Sequence, residues 1–269
     1  MPQWIVVDDV MHPGLEPFRS VRDRDLAGRE DLFMVEGEVA LRALVQYGRF
    51  PLTSVLLSDR RVAGLKDLLD ELPDTLPIHV IAHQEIEAVV GFKMHRGVLG
   101  CGQRVPSASA RALLGTLPTG TQRLVLAEAV SNTDNMGAIF RNVAALGGAA
   151  VLLDHQSCDP LYRKAIRVSS GQTLALPFSR GGQILELIEA VRDEGFVVAA
   201  LTPSAEAVPI MDWGDRPEKI ALMVGAEGPG LSAAALTAAD LAMSIPMAPT
   251  VDSLNVATSL AVAMYGLQR

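Results

Sequence analysis

Apolar residues recur along this chain with two alternating periods, and the alternation predicts an α/β protein. VEGEVALRALVQYG (35–48) carries apolar positions at helical spacing and stops at Gly48, so a helix is expected there. LTSVLLS (52–58) reads as a strand and LKDLLDEL (65–72) as a short amphipathic helix closed by Pro73. IHVIA (78–82) and GVLGCGQ (97–103) read as strands, with HQEIEAVVG (83–91) a helix between them. Further on, strands are expected at RLVLAEAV (123–130), AAVLLD (149–154), FVVAAL (196–201), KIALMVG (219–225) and LAMSIPM (241–247). Helices are expected near 137–146, 161–170, 182–194, 232–238 and 253–267. These strands are continuous apolar runs, the pattern of strands covered by helices on both faces. The class expected is therefore α/β, with a mostly parallel sheet in each of two domains.

The stretch VPSASARALLGTLPTGTQ (105–122) is rich in Pro, Ser, Thr, Gly and Ala and is the natural linker. It divides the chain into 1–104 and 123–269, which suits 269 residues at roughly 150 per domain. Aromatic residues make up only 4 %, so the cores must be built from Ala, Val, Leu and Ile. The opening MPQWIVVDDV has no basic stretch ahead of an apolar one, and no apolar run approaches the roughly 18 residues of a membrane helix. A cytoplasmic protein with no membrane contact is expected. Cys101 and Cys158 stand in no CxxC pattern and read as reduced, packed thiols. His12, His79, His83, His95 and His155 show no metal-ligand spacing, so no metal is expected. Trp4 and Trp213 read as packing residues.

Net charge is −8, which disfavours a uniformly nucleic-acid-binding surface. Arginines are nevertheless grouped: Arg19, Arg22, Arg24 and Arg29 near the start, then Arg163, Lys164 and Arg167. The field a ligand meets depends on where charges lie, so a local basic surface is compatible with this sum.

Three segments carry candidate chemistry. In SNTDNMGAIFRNVAALGG (131–148) a strand ends, a polar turn follows and a helix begins near Met136, with Asn135 or Asp134 as its cap. Gly137, Arg141 and Ala144/Ala145 fall on one helical face, so small residues flank one arginine. In VGAEGPGLS (224–232) three glycines and a proline follow an apolar strand, and such loops let a ligand approach main-chain groups. The loop is neither a Walker loop nor GxGxxG. In IPMAPTVDSLNVATSLAVAM (245–264) a strand ends at a proline and a loop leads into a helix capped by Asp252 or Ser253, with Asn255 in its first turn. That helix is apolar on almost every side, so it is either central or covered by a second subunit.

In this order, NMGAIFRN (135–142), VGAEGPGLS (224–232) and IPM…SLNVA (245–257) resemble the three motifs of the SpoU/TrmH branch of the SPOUT RNA methyltransferases. DPLYRKAIRVSSGQTLALPF (159–178) also resembles the family, and FMVEGEVALRAL (33–44) with HRGVLG (95–100) resembles its substrate-binding domain. The resemblance implies a C-terminal α/β domain tied in a deep trefoil knot, behind a smaller α/β RNA-binding domain of ribosomal-protein type. It implies S-adenosylmethionine as methyl donor, held by Leu201, Thr202, Gly225, Gly230, Ile245, Met247 and Leu254. It implies catalytic positions at Asn135, Arg141, Glu227, Ser253 and Asn255, a homodimer formed through the knotted domain, and a ribose 2′-hydroxyl of rRNA or tRNA as acceptor. Arg141 is then either a base or a phosphate clamp, and Arg96 a further RNA contact. The resemblance departs at Pro249, where the family often has glycine, and at Asn132, Thr133 and Asp134, where it often has Asp-Pro. The alternative function is a methyltransferase-like RNA-binding protein without transfer activity.

Overall fold

The computed structural model describes residues 3–19, 31–120, 122–214 and 216–268; Arg22, Arg24 and Arg29 of the first arginine group lie outside them. The chain forms two compact units, Met1–Pro106 with Leu161–Ala175, and Ser107–Pro160 with Leu176–Arg269.

The first unit is built on strands β1 (Gln3–Val7), β2 (Leu32–Glu36), β3 (Leu52–Ser58), β4 (Pro77–Ile81) and β5 (Val98–Gln103), in the order β1-β4-β3-β5-β2. β1, β4 and β3 run parallel, whereas β5 is antiparallel to β3 and β2 to β5. This sheet is therefore mixed rather than mostly parallel. Helices α1 (Glu38–Tyr47), α2 (Lys66–Asp70) and α3 (Ile86–Val90) connect the strands. The helix expected from residue 35 starts only at Glu38, because Leu32–Glu36 is wholly buried and pairs with β5. Gly37, at φ +90, makes the turn between the two.

The second unit begins with α4 (Ala110–Leu114), inside the stretch expected as a linker; Leu113 and Leu114 are buried in this unit's core. Strands β6 (Arg123–Ala127), β7 (Ala150–Leu153), β8 (Phe178–Arg180), β9 (Val197–Leu201), β10 (Val208–Pro209), β11 (Ile220–Val224) and β12 (Leu241–Ser244) form one parallel sheet in the order β10-β12-β9-β11-β6-β7-β8. Its helices are α5 (Thr133–Ala145), α8 (Ile184–Asp193), α9 (Ala233–Ala238) and α10 (Val256–Gly266), while α6 (Arg163–Val168) and α7 (Gln172–Ala175) pack with the first unit. Leu124, Leu126, Leu152, Val198 and Met223 have no exposed surface. Burying side chains of this kind contributes roughly 1.5–3 kcal/mol each, which makes the β6–β11–β9 centre a rigid base for the loops above it. α8 lays Leu187, Ile188 and Val191 on this core, and Glu186 closes its first turn by accepting from the Gln183 N–H at 2.7 Å.

Several boundaries differ from the sequence pattern for local reasons. The strand expected over 123–130 ends at Ala127, since Ala129 turns to φ +53. The helix expected over 161–170 stops at Val168, because Ser170 and Gly171 adopt φ +54 and +83. The strand expected to reach Met247 ends at Ser244, before Pro246, which has no N–H to pair. α5 starts at Thr133, capped by Asn132, whose side chain accepts from the Asp134 N–H; neither Asp134 nor Asn135 is the cap. Trp4 is 41 % exposed, so it is not a core residue. Among the described residues, no helix is long and apolar enough to cross a membrane.

Candidate functional site

Parallel strands carry their carboxyl ends to one edge of the sheet, and that is where open α/β proteins place ligands. Here β9, β11 and β12 end side by side at Leu201, Val224 and Ser244. The loops leaving them, with the segment that enters α10, enclose a cavity of about 540 Å³. That lies within the roughly 300–1,000 Å³ typical of small-molecule sites.

Main chain forms much of this cavity. After β11 the loop folds back on itself, with the Gly230 N–H donating to the Ala226 carbonyl at 3.0 Å. Gly225 is buried against the closing end of that loop: a Cβ there would come within 2.2 Å of the Gly230 carbonyl carbon. Gly230 itself sits at φ +74, a conformation that glycine adopts without steric cost. Thr202, beyond β9, donates its N–H to the Met243 carbonyl at 2.9 Å, fixing the neighbouring loop on β12. All seven residues expected to hold a methyl donor, Leu201, Thr202, Gly225, Gly230, Ile245, Met247 and Leu254, line the cavity. Pro249 does not line it.

Of the residues expected to act in chemistry, Glu227, Ser253 and Asn255 line the same cavity. Asn135 joins them through hydrogen bonds. Asn255 is the N-cap of α10 rather than a first-turn residue, and neither Asp252 nor Ser253 caps that helix. The Asn255 Oδ1 accepts from the N–H groups of Ala257 and Thr258 at 3.0 and 3.3 Å. Its amide nitrogen must therefore donate, and it does so to Asn135 Oδ1 at 2.8 Å. The Asn135 nitrogen in turn donates to Glu227 Oε2 at 3.1 Å. The helix cap thus sets the direction of the whole chain, and Glu227 receives it as an acceptor. Three segments meet in these two bonds, which span 92 and 120 residues of sequence. Asn142 adds a further tie between α5 and α10 by donating to the Ala257 carbonyl at 2.8 Å.

Arg141 is placed differently. It is exposed on α5, does not line the cavity, and makes no hydrogen bond or ion pair among the described residues. Its guanidinium presents five donors to the outside.

The sequence reading missed Glu128. This carboxylate follows β6 and is only 7 % exposed. One of its oxygens accepts from the Ser232 N–H at 2.8 Å, anchoring the end of the glycine loop where α9 begins. An acidic residue inside the apolar run RLVLAEAV was the available signal. Asp154 and Ser157, both buried, support the adjoining turn: Asp154 Oδ1 accepts from the Ala129 N–H at 3.0 Å and from the Ser157 hydroxyl at 2.7 Å. Among the described residues, no group of three or more His, Cys, Asp or Glu side chains is arranged to hold a metal ion. Cys158 is half-buried, and burial, with Asp159 nearby, pushes its thiol up to about 11, so it is not poised as a nucleophile.

A parallel α/β sheet with a glycine-walled cavity at its carboxyl edge defines the general class, a small-molecule-binding α/β protein. The sequence pattern of the SpoU rRNA Methylase family matches residues 122–265, more than half of the chain. An uncharacterized tRNA/rRNA methyltransferase of Mycobacterium tuberculosis is 36 % identical over 273 residues, covering 98 % of this chain and 92 % of its own. The 23S rRNA (guanosine-2′-O-)-methyltransferase RlmB of Acinetobacter baylyi is 26 % identical over 238 residues, covering 88 % and 92 %. Among solved structures, an AdoMet-bound rRNA methyltransferase from Sinorhizobium meliloti matches with a TM-score of 0.82 at 20 % identity, over 99 % of this chain and 98 % of that one. An RNA 2′-O ribose methyltransferase matches with a TM-score of 0.78 at 23 % identity, over 99 % and 98 %. The chain belongs to the SpoU rRNA methylase family.

Proposed function

We propose that this protein transfers a methyl group from S-adenosylmethionine to a ribose 2′-hydroxyl of structured RNA, ribosomal or transfer. The observation that carries the reading is the cavity itself. Its glycine-walled main chain, its apolar Leu201, Ile245 and Leu254, and the Asn255–Asn135–Glu227 chain come from the three motif segments. The names of RlmB and of the 2′-O ribose methyltransferase support the choice of acceptor.

The residues fit the donor. Apolar side chains suit an adenine ring, and Gly225 and Gly230 leave main-chain polar groups within reach of it. When bound, S-adenosylmethionine supplies an electrophilic methyl group on a sulfonium. The chain's own work is then to position the acceptor and take its proton. Arg141, exposed and without a partner among the described residues, clamps a substrate phosphate by paired hydrogen bonds. Glu227, on the cavity wall and held by Asn135, is the carboxylate placed to take the hydroxyl proton. Ser253 and Asn255 border the donor from the α10 side.

Residues 1–104, with 161–175 packed on them, serve as the RNA-binding domain, and the rest of 123–269 as the methyltransferase domain, to which α4 of the 105–122 stretch also belongs. We read the C-terminal segment as threaded in a trefoil knot. The strand order supports this: β6, first of its sheet in sequence, lies between β11 and β7, and the segment after β12 returns to the loop after β11. A homodimer is supported by the apolar recess formed by Ile210, Met211, Ile245, Pro246, Val262 and Tyr265, in which Met211, Val262 and Tyr265 are exposed. A cytoplasmic location is proposed with it.

The test is incubation of unmodified rRNA and tRNA with methyl-labelled donor, followed by alkaline hydrolysis. Alkaline cleavage needs a free 2′-hydroxyl, so label in alkali-resistant dinucleotides supports the reading. Label in mononucleotides would assign methylation to a base instead. Saturable donor binding by calorimetry without any transfer would favour an RNA-binding protein that has lost its chemistry.

A further inference from the structure

Four guanidinium groups gather around the turn from β2 into α1. Glu36, at the end of β2, is a nearly buried carboxylate, 8 % exposed at its side chain. Arg163 and Arg167, one turn apart on α6, approach the same Glu36 oxygen at 3.8 and 3.5 Å. Arg96 lies across Gly37, where a Cβ would come within 3.0 Å of its side chain. Arg61 pairs with Glu38 at 3.0 Å. These four cations, with Arg42, which also pairs with Glu38 at 3.0 Å, face the two carboxylates on a chain whose net charge is −8.

The geometry separates this group from an ordinary structural ion pair. A few residues away, Arg42 closes a two-bonded fork on Asp67 at 2.8 and 3.0 Å, the arrangement in which both partners are satisfied. Arg163 and Arg167 do not. They share one oxygen of Glu36 at the outer limit of hydrogen bonding, so most of their donors are directed elsewhere. Arg163 is also fixed from behind, its guanidinium stacked 3.7 Å from the Phe92 ring centroid. Such a cation is pre-oriented, and little side-chain entropy remains to be lost when it binds. Arg96 and Arg167 are exposed, and Arg61 and Arg163 are partly so.

We propose that Arg61, Arg96, Arg163 and Arg167 form a phosphate-holding site that grips the sugar–phosphate backbone of RNA, with Glu36 and Glu38 serving to aim the guanidiniums. This deepens the proposed function and rests on it. It assigns the RNA grip of the first unit to side chains from two widely separated parts of the sequence. Planar forks in fixed orientation match phosphodiester oxygens and carry no base preference, so the site positions the substrate rather than selecting its sequence.

The experiment measures binding of deproteinised rRNA and of bulk tRNA to the full chain by fluorescence anisotropy across a salt series. The proteins compared are wild type, Arg163→Ala/Arg167→Ala, Arg96→Ala/Arg167→Ala and Arg163→Lys/Arg167→Lys. Each phosphate contact contributes about 0.7 to the slope of log affinity against log salt for unpaired strands, so each alanine pair should flatten it by about 1.4 and weaken binding at low salt at least about tenfold. The lysine pair keeps the charges and should keep the slope while losing part of the affinity. Donor affinity by calorimetry and the melting temperature check the fold; because removing Arg163 and Arg167 together leaves Glu36 without either cation, the Arg96→Ala/Arg167→Ala pair decides if the other melts early. Wild-type slope and affinity in that folded pair would overturn the site and leave an acidic protein segment as the class such a cluster would take. If wild type methylates RNA in that case, only this site falls; if wild type neither binds nor methylates RNA, the functional reading falls with it.

Discussion

At the scale of single residues, the division of labour around the cavity can be tested by two substitutions. Arg141 does not line the cavity, so Arg141→Ala should leave donor affinity within about twofold while lowering turnover by about 100-fold or more, the usual cost of removing one charge-stabilising donor. Loss of donor binding in a folded Arg141→Ala protein would contradict the clamp assignment. Glu227 calls for a subtler change. Its neighbour Asn135 needs only an acceptor, and glutamine offers one, so Glu227→Gln should preserve the Asn255–Asn135 chain and the fold. It cannot accept the hydroxyl proton. Turnover should therefore fall by about 100-fold with unchanged donor affinity, in line with general-base contributions. If single-turnover rates stay near wild type, Glu227 only orients its neighbours.

At the scale of elements, the clearest liability is in the first unit. His79, on β4, is buried beneath the turn Pro13–Phe18, with Gly14 so close that a Cβ there would meet His79 Nε2 at 2.2 Å. Burial holds the imidazole below its ordinary value, with His12 adding a smaller push in the same direction. The unfolded chain takes up a proton near pH 6.5 and the folded one resists it. The contribution is therefore fully present above about pH 6.5 and lost as pH falls below it. The thermal midpoint should therefore drop as pH is lowered from 7.5 to 5.5. His79→Leu should flatten that part of the profile; an identical drop in the variant would place the sensitivity elsewhere. The other elements are unevenly legible in the sequence. The long apolar runs that became β6, β7, β9 and β11 were legible because each exceeds what a turn can hold. β8 and β10, of three and two residues, have no period to read. Only Val35 and Glu36 of β2 fall within the helix expected over 35–48, and pairing of Leu32–Glu36 with β5 is what sets the strand apart. In the cavity, the glycines and asparagines of the motifs were legible as residue types. That Asn255 caps α10 and thereby dictates how Asn135 and Glu227 bond was not, since it depends on contacts across some 90 to 120 residues. Glu128 was hidden for the same reason. So was the packing of residues 161–175 with the first unit: it follows from Gly171 seating against Ala43 of α1, which no linear pattern announces.

At the scale of the whole molecule, the surface of α10 is the deciding feature. Its sequence is apolar nearly all round, yet only Ala257, Leu260, Ala263, Met264 and Gly266 are buried. Val262 and Tyr265 remain 41 % and 53 % exposed, beside Met211 at 59 %, around an apolar recess floored by Ile210 and Gly266. Large apolar side chains clustered in this way mark a surface that gains by being covered. The proposed homodimer would make a second copy its occupant. At micromolar concentration, light scattering should then report twice the mass of one chain. Val262→Glu/Tyr265→Glu should shift the distribution to monomer, because two carboxylates buried at a symmetric interface would face their own copies without partners. Ile245 lines both the recess and the donor cavity, so association and donor binding share a wall. The monomeric variant should consequently bind S-adenosylmethionine more weakly by at least about tenfold, or about 1.4 kcal/mol. A wild-type protein that scatters as a monomer while still methylating RNA would show that the exposed face of α10 serves something other than self-association, and that the cavity is complete within one chain.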